Sequence, residues 1–97
     1  MVTHVVLFKL FPNVSQDKID RMIAGLNGLK NEIPQLLEMH AGVNFSDRNK
    51  GYELMLVSQF VNKEDLRIYN DHPAHRKVVA EIISPIREEV VVGDIEF

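Results

Sequence analysis

The segment Val2-Thr3-His4-Val5-Val6-Leu7-Phe8-Lys9-Leu10-Phe11 decides how the rest of the chain must be arranged. It is rich in β-branched and aromatic residues, the types that fit a pleated and buried strand. Alternation puts Val2, His4, Val6, Phe8 and Leu10 on one side and Thr3, Val5, Leu7, Lys9 and Phe11 on the other. Both sides are mostly apolar, so both faces of this strand are expected to be covered. Pro12-Asn13 ends it.

Beyond the turn, Ser15 is a good helix N-cap with Asp17 in the first turn. Ile19, Met22, Ile23, Leu26 and Leu29 recur at helical spacing, which predicts a helix to about Asn31. Gly25 and Gly28 weaken it or mark a close approach. A second strand is expected within Leu37 to Phe45 and a third over Tyr52 to Val61, joined by the polar loop Ser46 to Gly51. Asn62 caps a second helix, and His72-Pro73 starts a third that Ser84-Pro85 closes. Glu89 to Phe97 is the last strand, with Gly93 as its expected bulge.

Strand, helix, strand, strand, broken helix, strand is the split βαβ order. It predicts an α+β, ferredoxin-like fold, a four-stranded antiparallel sheet with helices on one face, as one domain over residues 1–97. The other face would then carry Val5, Leu7, Phe11, Met55, Val57 and Val61. An apolar area of that extent is rarely left in water, and a second copy of the sheet covers it most simply. A homodimer through the helix-free face is therefore expected.

Composition narrows the function classes. The chain has 97 residues, 45% hydrophobic and 26% charged, no cysteine and a net charge of −3. That charge offers no basic field for nucleic acid. No apolar run approaches the roughly 20 residues of a membrane span. No signal-peptide n-region opens the chain, so a cytoplasmic protein is expected. No glycine-rich phosphate loop or nucleophile elbow is present, and neither metal nor cofactor is expected. His72 and His75 are three apart, but a capping side chain points back along the helix end, a poor disposition for a zinc ligand.

The stretch Tyr69-Asn70-Asp71-His72-Pro73-Ala74-His75 holds the candidate chemistry. Proline suits the first helical position, which makes His72 the N-cap and His75 the third helical residue. A helix N-terminus pushes an imidazole toward its neutral, proton-accepting form. His4, on the helix-facing side of the first strand, can meet His75 and Tyr69 between sheet and helices. Val6, Phe8, Ile23, Leu26, Leu54, Leu56, Val78 and Ile86 would form the walls. An apolar pocket with a few convergent polar groups suits a small apolar or carbonyl-containing ligand. Two imidazoles and a phenol can support proton abstraction next to a carbonyl. The bland alternative is that these groups only hydrogen-bond within the core.

The opening His4-Val5-Val6-Leu7-Phe8-Lys9, Gly51-Tyr52 before the third strand, Phe60 at its end, Tyr69 to His75 and the closing Val91-Val92-Gly93-Asp94 together resemble the stress-responsive A/B barrel (Dabb) family. The resemblance spans nearly the whole chain. It implies a homodimer whose two sheets pack into an α/β barrel. A plant polyketide cyclase of that family closes a ring by intramolecular aldol condensation, and its catalytic histidine matches His75. The resemblance thus implies His75 as base, Tyr69 as holder of the substrate oxygen and His4 as support, in a lyase or cyclase. Leu26 stands where that cyclase has a tyrosine, and a tryptophan lies near the position of Ile86, so the pocket is shaped differently here. The family also contains stress-protective assemblies, and a non-catalytic protective or ligand-binding dimer is the alternative function.

Overall fold

A computed structural model describes residues 1–97. The strands are β1 (Val2–Leu10), β2 (Glu38–Val43), β3 (Leu54–Phe60) and β4 (Arg87–Glu96). The helices are α1 (Gln16–Gly28), α2 (Lys63–Asp71) and α3 (Pro73–Val78). The strands form one antiparallel sheet in the order β2-β3-β1-β4. This is the split βαβ arrangement expected from the element order.

Strict alternation in β1 and β3 builds the core. Val2, His4, Val6, Phe8 and Leu10 are buried, and so are Leu54, Leu56, Ser58 and Phe60 opposite them. From the helices, Met22, Leu26, Leu66, Tyr69 and Val78 close over that face. The caps follow local chemistry. The Ser15 side chain accepts from the Lys18 amide, and that of Asn62 accepts from the Asp65 amide. Gly25 is a true close approach: a Cβ there would lie 3.2 Å from Ile82 Cδ1 and 3.7 Å from Val78 Cγ1. Gly51 ends the β2–β3 loop at φ +88°, a left-handed conformation that glycine adopts without steric cost.

Several boundaries depart from the sequence reading. The first helix stops at Gly28 and tightens into a 3₁₀ turn, Leu29–Asn31, instead of running unbroken to Asn31. The third strand begins at Leu54, because Tyr52 is tied back by its amide to the Asn49 carbonyl. After Val78 the third helix widens into a π turn, Val79–Ile83, closed by the Ser84 amide bonding the Val79 carbonyl. The last strand starts two residues earlier than expected, at Arg87. Gly93 is not a bulge; it pairs in register with Val5. The irregularity lies at Glu88, since Lys9 pairs with Glu89 while Leu10 pairs with Arg87.

The helical layer covers β1, β2 and β3, and β4 lies largely beyond it. Val90 and Val92, on the helix-side face of β4, are 40% and 52% exposed. On the helix-free face, Val5, Leu7, Met55 and Val57 are half-buried by their strand neighbours alone. Phe11, Val61, Val91 and Ile95 are exposed. Lys9 and the Gln59–Thr3 hydrogen bond bracket this apolar strip with polar groups.

Candidate functional site

The break between α2 and α3 creates the site. Pro73 occupies the first position of α3, and the His72 Nδ1 accepts the Ala74 amide at 3.0 Å. His72 is therefore spent on capping, as its position predicted. Tyr69 sits in the last turn of α2 and is fully buried, its ring tilted against Phe60 at 5.2 Å. The His75 ring lies 4.5 Å from that of Tyr69, and the His4 ring lies 6.3 Å from it. Three aromatic rings from β1, α2 and α3 thus meet.

They meet on the wall of a cavity of about 310 Å³ between the helix-side face of β4 and the α3 region. Of the residues predicted for it, His4, Val6, Phe8, Leu26, Leu56, Tyr69 and His75 line this space. Ile23, Leu54, Val78 and Ile86 do not. Leu54, Val78 and Ile86 are core residues, and Ile23 packs on the core from the side. The predicted walls were centred on β1 and β3, whereas the open space lies one strand over, above β1 and β4. Asn70, Arg87 and Asp94 join the lining, and the apolar remainder comes from Val79, Ile83, Val90 and Val92.

Each polar group has a defined state. The His75 Nδ1 donates to the Asn70 carbonyl at 3.1 Å, since a carbonyl can only accept. That places the proton on Nδ1 and leaves Nε2 with a free lone pair in the neutral ring. Partial burial holds His75 below its ordinary pKa, helped by the nearby His4 and His72 and opposed by the Asn70 carbonyl. The direction is the one expected from the helix terminus and partial burial together, and burial is the leading cause. Burial likewise pushes the Tyr69 phenol well above its usual pKa, so it remains a neutral donor. Its hydroxyl has no hydrogen-bond partner within the protein. The Nδ1 of His4 pairs with the Asp94 carboxylate across the β1–β4 ladder, where the two residues are directly opposite. An acceptor on Nδ1 fixes the tautomer of His4 as firmly as Asn70 fixes that of His75.

The Stress responsive A/B Barrel Domain, Dabb, matches residues 2–97. This chain belongs to that family. It is 38% identical to the Arabidopsis thaliana stress-response A/B barrel domain-containing protein DABB1 over 97% of its own length. It spans 46% of that relative, so less than half of the larger protein is represented. Among solved structures, an Arabidopsis thaliana protein superposes with a TM-score of 0.88 at 32% identity, over 100% of this chain and 95% of that one. A Bacteroides fragilis protein of unknown function, described as dimeric and ferredoxin-like, gives 0.86 at 26% identity, over 99% and 95%. A hydroxynitrile lyase from Passiflora edulis gives 0.85 at 26% identity, over 97% of this chain and 90% of that enzyme. The Dabb family and the ferredoxin-like fold expected from the sequence are both established by these matches.

Asp94, Asn70 and Arg87 were missed as site residues. Asp94 alone had a readable signal, because a carboxylate two residues after Val92 shares the side of β4 that meets His4.

Proposed function

We propose that this Dabb domain binds a small carbonyl compound in the cavity and moves a proton beside its carbonyl, with His75 as base. The carrying observation is the buried Tyr69 hydroxyl, which lacks a protein partner, on a residue that borders the cavity. A buried hydroxyl without a hydrogen bond costs about 1–3 kcal/mol, so an oxygen supplied by a ligand has a ready place. Tyr69 donates to the carbonyl oxygen as negative charge gathers there. The Nε2 of His75 takes the proton from the adjacent carbon. The resulting enolate attacks a second carbonyl carbon, a C–C bond forms, and imidazolium returns the proton to the new alkoxide. Run backward, the same steps cleave a C–C bond beside a hydroxyl. The hydroxynitrile lyase among the structural relatives supports lyase chemistry on this fold. His4, oriented by Asp94, supports the oxygen end of the substrate.

The working unit in this reading is a homodimer joined through the helix-free sheet face. The dimeric relative supports the homodimer, and the apolar strip of Val5, Leu7, Met55, Val57, Val91 and Ile95 is the argument for that face.

Deuterium exchange tests the base directly. 2-Heptanone in D2O is followed by NMR with the wild-type protein and with His75→Ala. Enzyme-dependent exchange next to the carbonyl is expected in the wild type and lost in the variant. Wild-type exchange no faster than buffer would leave a ligand-binding dimer without turnover, the alternative function.

A further inference from the structure

The break between α2 and α3 redistributes the hydrogen bonds of its backbone, and one carbonyl is left over. In an unbroken helix the Asn70 carbonyl would accept the Ala74 amide, four residues on. Pro73 prevents this. It has no N–H of its own, and it keeps His72 extended, at φ −64° and ψ 136°. The His72 amide turns back to the Tyr69 carbonyl at 3.1 Å, and the Arg76 amide bonds the His72 carbonyl at 3.0 Å. The Ala74 amide goes to Nδ1 of His72, also at 3.0 Å. No backbone amide reaches the Asn70 carbonyl. The His75 ring takes it instead, through Nδ1 at 3.1 Å.

The two imidazoles of this segment therefore hold opposite states at the same atom. Nδ1 of His72 accepts and carries no proton, whereas Nδ1 of His75 donates and carries one. The chain couples the two bonds, because Ala74 and His75 are consecutive. An uncapped Ala74 amide has two outlets. It competes for the Asn70 carbonyl, or it turns to water and the first turn of α3 loosens. Either way His75 loses its acceptor. The ring proton is then free to move to Nε2, the nitrogen that a histidine side chain in water prefers to protonate, and the Nε2 lone pair disappears.

We propose that His72 is a positioning residue for His75: by holding the Ala74 amide it reserves the Asn70 carbonyl for the His75 ring, and so keeps the basic nitrogen of His75 at Nε2. The inference rests on the proposed role of His75 as base only for its effect on rate. The hinge has other ties. Asp71 reaches Arg67 at 3.8 Å and Arg76 at 3.5 Å, so deleting the capping acceptor leaves α3 attached to α2.

Long-range proton–nitrogen correlation NMR at pH 8 reads the tautomer of each histidine, with the His75 signals assigned by their loss in His75→Gln. His72→Gly keeps a backbone suited to a cap and deletes the acceptor, whereas His72→Asn supplies an acceptor without an ionisable ring. The wild type should show His75 protonated at Nδ1. In His72→Gly the ratio of the Nδ1–H to the Nε2–H form should fall about fivefold, the factor set by one net hydrogen bond. Exchange of 2-heptanone should slow with it, and His72→Asn should restore both. Rescue by a neutral side chain excludes a purely electrostatic effect of His72 on His75. An unchanged His75 tautomer in folded His72→Gly would overturn the assignment, as would a folded His72→Asn that fails to restore it. If the tautomer responds while wild-type exchange is no faster than buffer, the positioning role stands and the base role falls.

Discussion

Tyr69 and His75 make opposite demands on stability and function. The Tyr69 hydroxyl is buried without a partner, so Tyr69→Phe removes a desolvated group and no protein hydrogen bond. The variant is expected to gain about 1 kcal/mol, a rise of ~4–8 °C in Tm for a domain of this size. Thermal melting read against ketone titration checks both effects, because ligand affinity should fall in the same variant. A melting point lowered by several degrees would show that the hydroxyl is already satisfied. His75 carries the pH prediction. Its folded pKa lies below that of the unfolded chain, near 6.5. Above 6.5 both states are neutral and nothing is lost; as pH falls toward the folded value, only the unfolded state takes up the proton. Stability should therefore decline as pH drops through that window. The rate of ketone exchange should decline over a lower range, centred on the folded pKa itself. His75→Gln should flatten both acid-side limbs, which denaturant melts and rate profiles between pH 4 and 8 would measure. His4, Tyr69 and His75 could be brought together on paper because alternation sets the face of one and Pro73 sets the helix position of another. Arg87 could not, since a single extra residue at Glu88 reverses its side and leaves no mark in composition.

Between elements, two contacts hold α1 in place and offer clean tests. The Asn27 side chain donates to the Ala41 carbonyl at 3.1 Å and accepts the Ala41 amide at 2.9 Å. Ala41 is on β2, an outer strand of the sheet, and one amide side chain thus occupies backbone groups that would otherwise recruit a foreign strand. Asn27→Ala is expected to cost about 1–2 kcal/mol in urea unfolding, given about 1 kcal/mol per hydrogen bond. It should also raise the aggregation rate. Gly25 faces Ile82 and Val78 too closely for a larger residue. Gly25→Val should cost about 1–3 kcal/mol by overpacking, read from the same urea curves. The order of the elements and the burial of β1 were legible because hydrophobic period and turn residues act locally. The change of helix type at Gly28 and at Val79 was not. Each arises where a helix meets its neighbour, Leu29 buried under the sheet and Ile82 pressed on Gly25, and propensity carries no trace of it.

At the scale of the molecule, the proposed dimer depends on Val57 and its neighbours being apolar. Val57→Lys puts an ammonium in the middle of the strip, opposite Val5 and His40. Sedimentation velocity should show the variant shifted to monomer, with lower thermal stability because the exposed valines lose their cover. An unchanged dimer of unchanged stability would place the interface elsewhere. No helix of this chain is long and apolar enough to cross a membrane. The last strand alternates between two duties: Val90, Val92 and Asp94 border the cavity, while Val91, Gly93 and Ile95 turn to the opposite side. A small molecule that stiffens β4 from the cavity face would also stiffen the face proposed for the dimer. Reciprocity then requires that occupancy tighten subunit association by the same factor as association tightens occupancy. Concentration of the protein itself would then tune the proposed ligand binding.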